Sequence, residues 1–158
     1  MATVASIDFS GGGIKNSDIA TGAGLAANKL VHQKTLSVEL AEGSTACAAI
    51  EKILFIASAA GTLQSFEAAV VTGPTGADRT VTVDLERGQA GGSFSTVLST
   101  TVNIVDATAD LTPVVAVISN TTVADGDIYN LKVSVAGSAG NQAKGLIATL
   151  IMDETPIG

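Results

Sequence analysis

The sequence predicts an all-β protein: a two-sheet antiparallel β-sandwich, of the eight-stranded jelly-roll kind, carrying an extended N-terminal arm. Three observations lead there. The 158 residues include 17 glycines, four phenylalanines, one tyrosine and no tryptophan, with Ala, Val, Thr and Ser filling much of the rest. Small and β-branched residues divided by Gly-rich turns suit pleated, half-buried surfaces. Apolar and polar residues also alternate with period two in several stretches, the pattern of a strand with one face buried. Finally, turn signals recur at short, fairly even spacing, which fits many short antiparallel strands. A seven-stranded immunoglobulin-like sandwich is the nearest alternative architecture.

Two segments are expected, an arm over residues 1–33 and a sandwich domain over 34–158. In the arm, Ser10-Gly11-Gly12-Gly13 and Thr21-Gly22-Ala23-Gly24 loosen the backbone, while Ile7, Phe9, Ile14, Ile19, Leu25 and Leu30 follow no sustained period. A helix over 23–31 would be weakened by Gly24. Free tails seldom carry so many large aliphatics. The arm is therefore expected to dock on a partner or a neighbouring subunit, with Ile7, Phe9, Ile14 and Ile19 as buried anchors.

Residues 35–40 alternate, with Leu36, Val38 and Leu40 inward, and 41–45 turn the chain. Residues 50–58 contain Ile53-Leu54-Phe55-Ile56, apolar on both faces and so expected in a central strand. After a turn at Gly61-Thr62, residues 63–71 place Phe66, Ala68 and Val70 on one face. Gly73-Pro74-Thr75-Gly76 is a loop. Residues 79–87 give the clearest strand, with Val81, Val83 and Leu85 against Thr80, Thr82, Asp84 and Glu86. A loop over 88–92 leads to 94–104, where Phe94, Thr96 and Leu98 alternate. The pattern slips at 99–101 and resumes at Val102 and Ile104, the sign of a bulge or of a strand passing between sheets. Residues 106–110 are a polar link, and 114–118 form a strand opened by Pro113. The chain is expected to close with a β-hairpin over 123–152. Asp125-Gly126-Asp127 turns into a strand with Tyr129, Leu131, Val133 and Val135 inward. The return strand carries Leu146, Ala148, Leu150 and Met152 on one face and Ile147 and Ile151 on the other. A strand with two apolar faces needs a sheet beneath it and a neighbour or loop above.

Searching for chemistry narrows the functional classes. The formal charge of −7 disfavours a phosphate-binding surface and anionic membranes, so neither nucleic acid nor membrane is an expected partner. The first residues lack the basic and apolar regions of a secretory signal, and no apolar run is long enough for a spanning helix. Synthesis in a cytoplasm is the corresponding expectation. His32 is the only histidine and Cys47 the only cysteine, so they make half a metal site at best and allow no internal disulfide. Cys47 sits among small residues, as a packed thiol does. No nucleophile elbow, dinucleotide fingerprint or phosphate loop occurs. Asp125, Asp127, Asp106 and Asp110 read as turn residues rather than a weak cation site, since the remaining ligands of a calcium loop are missing. Asn120 opens a glycan-acceptor triplet without a secretory context. No catalytic residue, cofactor or metal is expected, and the chain is read as non-enzymatic.

One resemblance goes further. Gly61-Thr62-Leu63-Gln64, residues 80–85, Ser95-Thr96-Val97-Leu98, residues 123–127, and Gly137-Ser138-Ala139-Gly140 leading to Ala143-Lys144-Gly145-Leu146 together resemble the jelly-roll decoration (cement) proteins and head appendages of tailed bacteriophages, over about residues 35–153. The resemblance implies a non-enzymatic protein on the outer surface of the virion capsid, made in the host cytoplasm. Its implied partners are the major capsid protein and further copies of itself, most often as a trimer. Self-association is also expected from the apolar excess of 53–56 and 146–152. The alternative is a glycan-binding or tail-fibre, receptor-binding module. That reading is weakened because Tyr129 and Phe66 fall on core-facing positions of alternating strands.

Overall fold

The structure, a computed structural model, describes residues 32–137 and 141–155. It is all-β. In chain order the strands are β1 (His32–Glu39), β2 (Ile50–Ile56), β3 (Gly61–Thr72), β4 (Thr80–Gly88), β5 (Ser95–Thr96), β6 (Leu98–Thr100), β7 (Val102–Val105), β8 (Val114–Val115), β9 (Val117–Ile118), β10 (Thr122–Val123), β11 (Ile128–Ala136) and β12 (Lys144–Glu154). They form two antiparallel sheets face to face. The first has the order β1-β12-β3-β10, with β8 also on β3; the second runs β2-β11-β4-β5, with β7 also on β4.

Merging β5–β7 into one bent strand and β8–β10 into another leaves the eight expected strands. Their pairing is nested: first with last (β1, β12), second with seventh (β2, β11), third with sixth (β3 with β8 and β10), fourth with fifth (β4 with β5 and β7). This is the jelly roll, and the immunoglobulin-like alternative falls away. The slip read at 99–101 is the bend itself. There β6 leaves β4 and pairs with β9, between two segments that both hold β4.

The core lies between the sheets. Val81, Val83, Leu85, Tyr129, Leu131 and Val133 are buried as expected, and Val135 is half-buried against them. Phe66, Leu63, Leu146, Leu150 and Met152 close on them from the first sheet. Leu63 and Phe66 are three residues apart yet both inward. A bulge explains this: Leu63 opposes Met152 and Ser65 opposes Ile151, leaving Gln64 as the extra residue. The Phe55 ring stacks on Tyr129 with centroids 4.7 Å apart.

Three expectations are corrected. The segments expected to make a closing hairpin are not paired: β11 lies in the second sheet and β12 in the first. Each already has two strand neighbours, so the connection crosses the sandwich instead of turning back along one sheet. Ile53–Ile56 does not belong to a central strand, because β2 pairs only with β11 and forms an edge. Its apolar residues therefore divide, with Leu54 and Phe55 half-buried and Ile53 and Ile56 on the surface. The alternation read at Phe94, Thr96 and Leu98 does not mark one face, because Phe94 and Thr96 are exposed while Leu98 is buried together with its neighbour Val97. The Phe94 ring instead lies over Gly88, where a Cβ would meet it at 3.0 Å.

Candidate functional site

The described residues gather no catalytic constellation. Among them, no three His, Cys, Asp or Glu side chains come together where they could hold a metal ion. The residues singled out in the sequence are placed as follows. His32 opens β1, exposed, opposite Glu154. Cys47 is buried, and burial pushes its thiol pKa up to about 11, which keeps it protonated and inert near neutrality. Asp127 is fully buried. Its carboxylate accepts the Ala124 N–H at 2.8 Å and the Gln89 Nε2 at 2.8 Å, with Arg87 Nη1 at 3.6 Å. Gly126, at φ +82°, completes this turn. Asp106 and Asp110 accept the backbone N–H groups of Gly76 and Gly73 at 2.8 and 2.7 Å, fixing the 73–76 loop. Asp127 staples its own turn, as read from the sequence, whereas Asp106 and Asp110 fasten a loop distant in the chain. The four arm anchors Ile7, Phe9, Ile14 and Ile19 lie outside the described residues.

What the surface offers is an apolar sheet face. Along β12, alternation buries Leu146, Ala148, Leu150 and Met152 and turns Ile147, Thr149 and Ile151 outward. Ile147 is 44% exposed, and Val71 on β3 (45%) and Val115 on β8 (60%) share its side of the sheet. Ala69, directly opposite Ile147, continues the patch. Two clefts flank Ile147. The larger, about 350 Å³, is lined by Glu39, Ala41, Gly43, Val71, Gly145 and Ile147. The smaller, about 120 Å³, runs between Glu67, Ala69, Pro113, Ile147 and Thr149. The larger depends on Gly145, whose φ is +65° and whose missing Cβ would sit 2.7 Å from the Gly43 carbonyl oxygen. That absence lets the 41–45 turn lie against β12, held by Gly145 N–H on Thr45 O at 3.1 Å.

The rim of this face is acidic. Register brings Glu39 opposite Ile147, Glu67 opposite Thr149 and Val115, and Asp153 opposite Gln33. The exposed lysines of β1, β3, β8 and β12 are Lys34, ion-paired with Glu154, and Lys144 at the start of β12. The outer face of the second sheet is more self-contained. Glu86 accepts from Asn130 Nδ2 at 3.1 Å and Lys132 Nζ at 3.5 Å, and Asp84 accepts from the Thr96 hydroxyl at 2.5 Å. Burial raises the Asp84 pKa, the Glu86 charge adds to the rise, and the Thr96 bond opposes it. Beside this network Ile53 and Ile56 are 51% and 64% exposed.

Of this site, only Ile147 and Ile151 were legible beforehand, as the second apolar face of their strand. Val71 and Val115 occupy outward positions of short alternations, and nothing local marks them. A valine recurring at solvent positions in several strands is the signal that could have found them. The acidic rim needs three strands brought side by side.

No family model and no curated protein matches the sequence. Solved structures do resemble this one. A chain in the capsid of Ralstonia phage GP4 is similar with a TM-score of 0.53 and 17% identity, over 82% of this chain and 86% of its own. The fold is shared. A chain of the infectious bursal disease virus Gx strain is similar over 78% of this chain but 32% of its own, with a TM-score of 0.42 and 12% identity.

Proposed function

We propose that this chain is a non-enzymatic structural component of a virion, a decoration protein that adds to the outer surface of an assembled capsid and stabilises the shell of the major capsid protein. The observation that carries the reading is the nested jelly roll, shared with a phage-capsid chain over most of both chains. The likeness is thus to a small protein of comparable length, not to one domain of a large one. Physical chemistry agrees with the role. A shell stabiliser needs a rigid core and broad contact surface, and the exposed Ile147, Val71 and Val115 supply such surface. Self-association, with a trimer as the working state, belongs to the same reading.

A glycan-binding module has less support. Sugar faces are gripped by exposed aromatics, and among the described residues Phe66 and Tyr129 are fully buried and Phe55 stacks on Tyr129, which leaves a single exposed ring, Phe94. The deciding experiment mixes the purified protein with capsids that lack it and measures co-sedimentation, alongside a glycan array. Saturable binding at a fixed copy number per capsid, with density on the outer surface by electron cryomicroscopy, is expected. Retention on sugars without capsid binding would overturn the proposal.

A further inference from the structure

We propose that the N-terminal arm of one copy docks across the outer face of the first sheet of a neighbouring copy, making a head-to-tail contact. The proposal rests on the capsid-component reading and names the partner of the Ile147 face.

Three modes of self-association are open to a sandwich of this kind, and the structure disfavours two. Edge-to-edge pairing would use β1 and β2, the long edge strands of the two sheets, since the opposite edges are broken into the short strands β8 and β10 and β5 and β7. Each carries a lysine at an inward-phase position, Lys34 opposite Met152 and Lys52 opposite Leu131. Lys34 is ion-paired with Glu154, and Lys52 reaches the Glu39 carbonyl at 3.3 Å. Inward-pointing charge at an edge is a device that blocks strand addition. Face-to-face pairing through a two-fold axis would set the rim of Glu39, Glu67 and Asp153 against its own copy, and Lys34 of the same sheet is already ion-paired with Glu154. The two lysines and two aspartates of residues 1–31 cancel, so the whole formal −7 lies on residues 32–158, and two sandwiches repel.

The arm meets neither objection. It is formally neutral and rich in large apolar residues, with Lys15 beside Ile14 and Lys29 beside Leu30, while Asp8 lies between Ile7 and Phe9 and Asp18 precedes Ile19. A neutral apolar segment escapes the repulsion that two sandwiches meet, and Ile14 with Lys15 is the part of it that complements an apolar face with a carboxylate rim. Reach favours a neighbour's face over the chain's own. His32 lies at the opposite end of β1 from Glu39 and Ile147, about 25 Å away at strand rise. Folding back over its own sheet, the chain would cover that distance with residues 25–31 and leave Ile7, Phe9, Ile14 and Ile19 beyond it. Fully extended, 31 residues span about 100 Å, enough to cross to a second copy.

The test uses the full chain without capsids, so its failure leaves the capsid reading standing, and failure of capsid binding leaves this contact standing. Ile14→Cys and Val115→Cys are made as separate variants, mixed, and treated with a short bis-maleimide; buried Cys47 gives little background. Cross-linked product at twice the chain mass in the mixture, and not in either variant alone, is expected. If mixing yields no such product, or if a double variant cross-links only within one chain, the proposal is overturned. As a second readout, Val115→Ser, at a position 60% exposed, should weaken self-association at least tenfold by light scattering with an unchanged circular dichroism spectrum. Unaltered association would also overturn it.

Discussion

Replacing Asp127 with alanine removes a fully buried carboxylate on which three donors converge. The Ala124 N–H and the Gln89 amide lose hydrogen bonds to a charged acceptor, worth about 1.5 kcal/mol or more each. Arg87 loses an ion pair at 3.6 Å, but its side chain is 25% exposed and regains water, so its share is about 1 kcal/mol. The expected loss is about 4 kcal/mol, a large part of the 5–15 kcal/mol that a domain commonly holds. Asp127→Asn should lose about half as much, since its amide oxygen still serves one donor while its NH2 group opposes another. Urea unfolding followed by far-ultraviolet circular dichroism reads this as a shift in midpoint at constant slope. Millimolar calcium or a chelator should leave the wild-type midpoint where it is. A loss below about 1 kcal/mol for Asp127→Ala, or calcium stabilising the wild type and not the variant, would refute the turn-staple account.

Other substitutions separate backbone strain from steric conflict. Gly126→Ala meets no atom within 4 Å and carries only the left-handed penalty of about 1 kcal/mol, whereas Gly145→Ala adds contacts of 2.6–2.8 Å to Val71 and the Gly43 backbone and should unfold at clearly lower urea. Leu131→Ala in the closed core should lose about 3 kcal/mol by the same assay. Burial raises the Cys47 pKa to about 11, and burial with the Asp127 charge raises that of Tyr129 to about 12. Both folded values exceed the unfolded ones, so their stabilisation is complete below about pH 9 and is lost as pH rises toward 12. Alkaline unfolding should therefore begin above about pH 9, and Cys47→Ala should flatten the first part of that decline.

The sequence made the strands legible and left their partners obscure. Strict alternation at Val81, Val83 and Leu85 determined which side faced the core, because a one-residue slip would expose all three. Alternation says nothing about which strand lies alongside. For that reason β11 and β12, adjacent in sequence and divided by Gly137, read as a hairpin although they occupy opposite sheets. The same blindness put β2 in a sheet centre, since Ile53 and Ile56 show apolar character without showing whether it is covered. Phe94 misled for another reason: the glycine beneath it, Gly88, gives an aromatic ring a seat on the outside of the sheet. The acidic rim around Ile147 depends on register across β1, β12 and β3, which no single stretch of chain contains.

Nested pairing also has a temporal consequence. The innermost pair, β4 with β5 and β7, closes a short loop, while β1 must find β12 more than 100 residues later. Loop-closure entropy makes inner contacts form first and outer ones last. On the ribosome, β1 and β2 emerge early with no partners, because β1 pairs only with β12 and β2 only with β11. Completion of the second sheet thus waits for β11, and that of the first for β12. The two lysine-bearing edges are therefore the segments that wait longest for their partners.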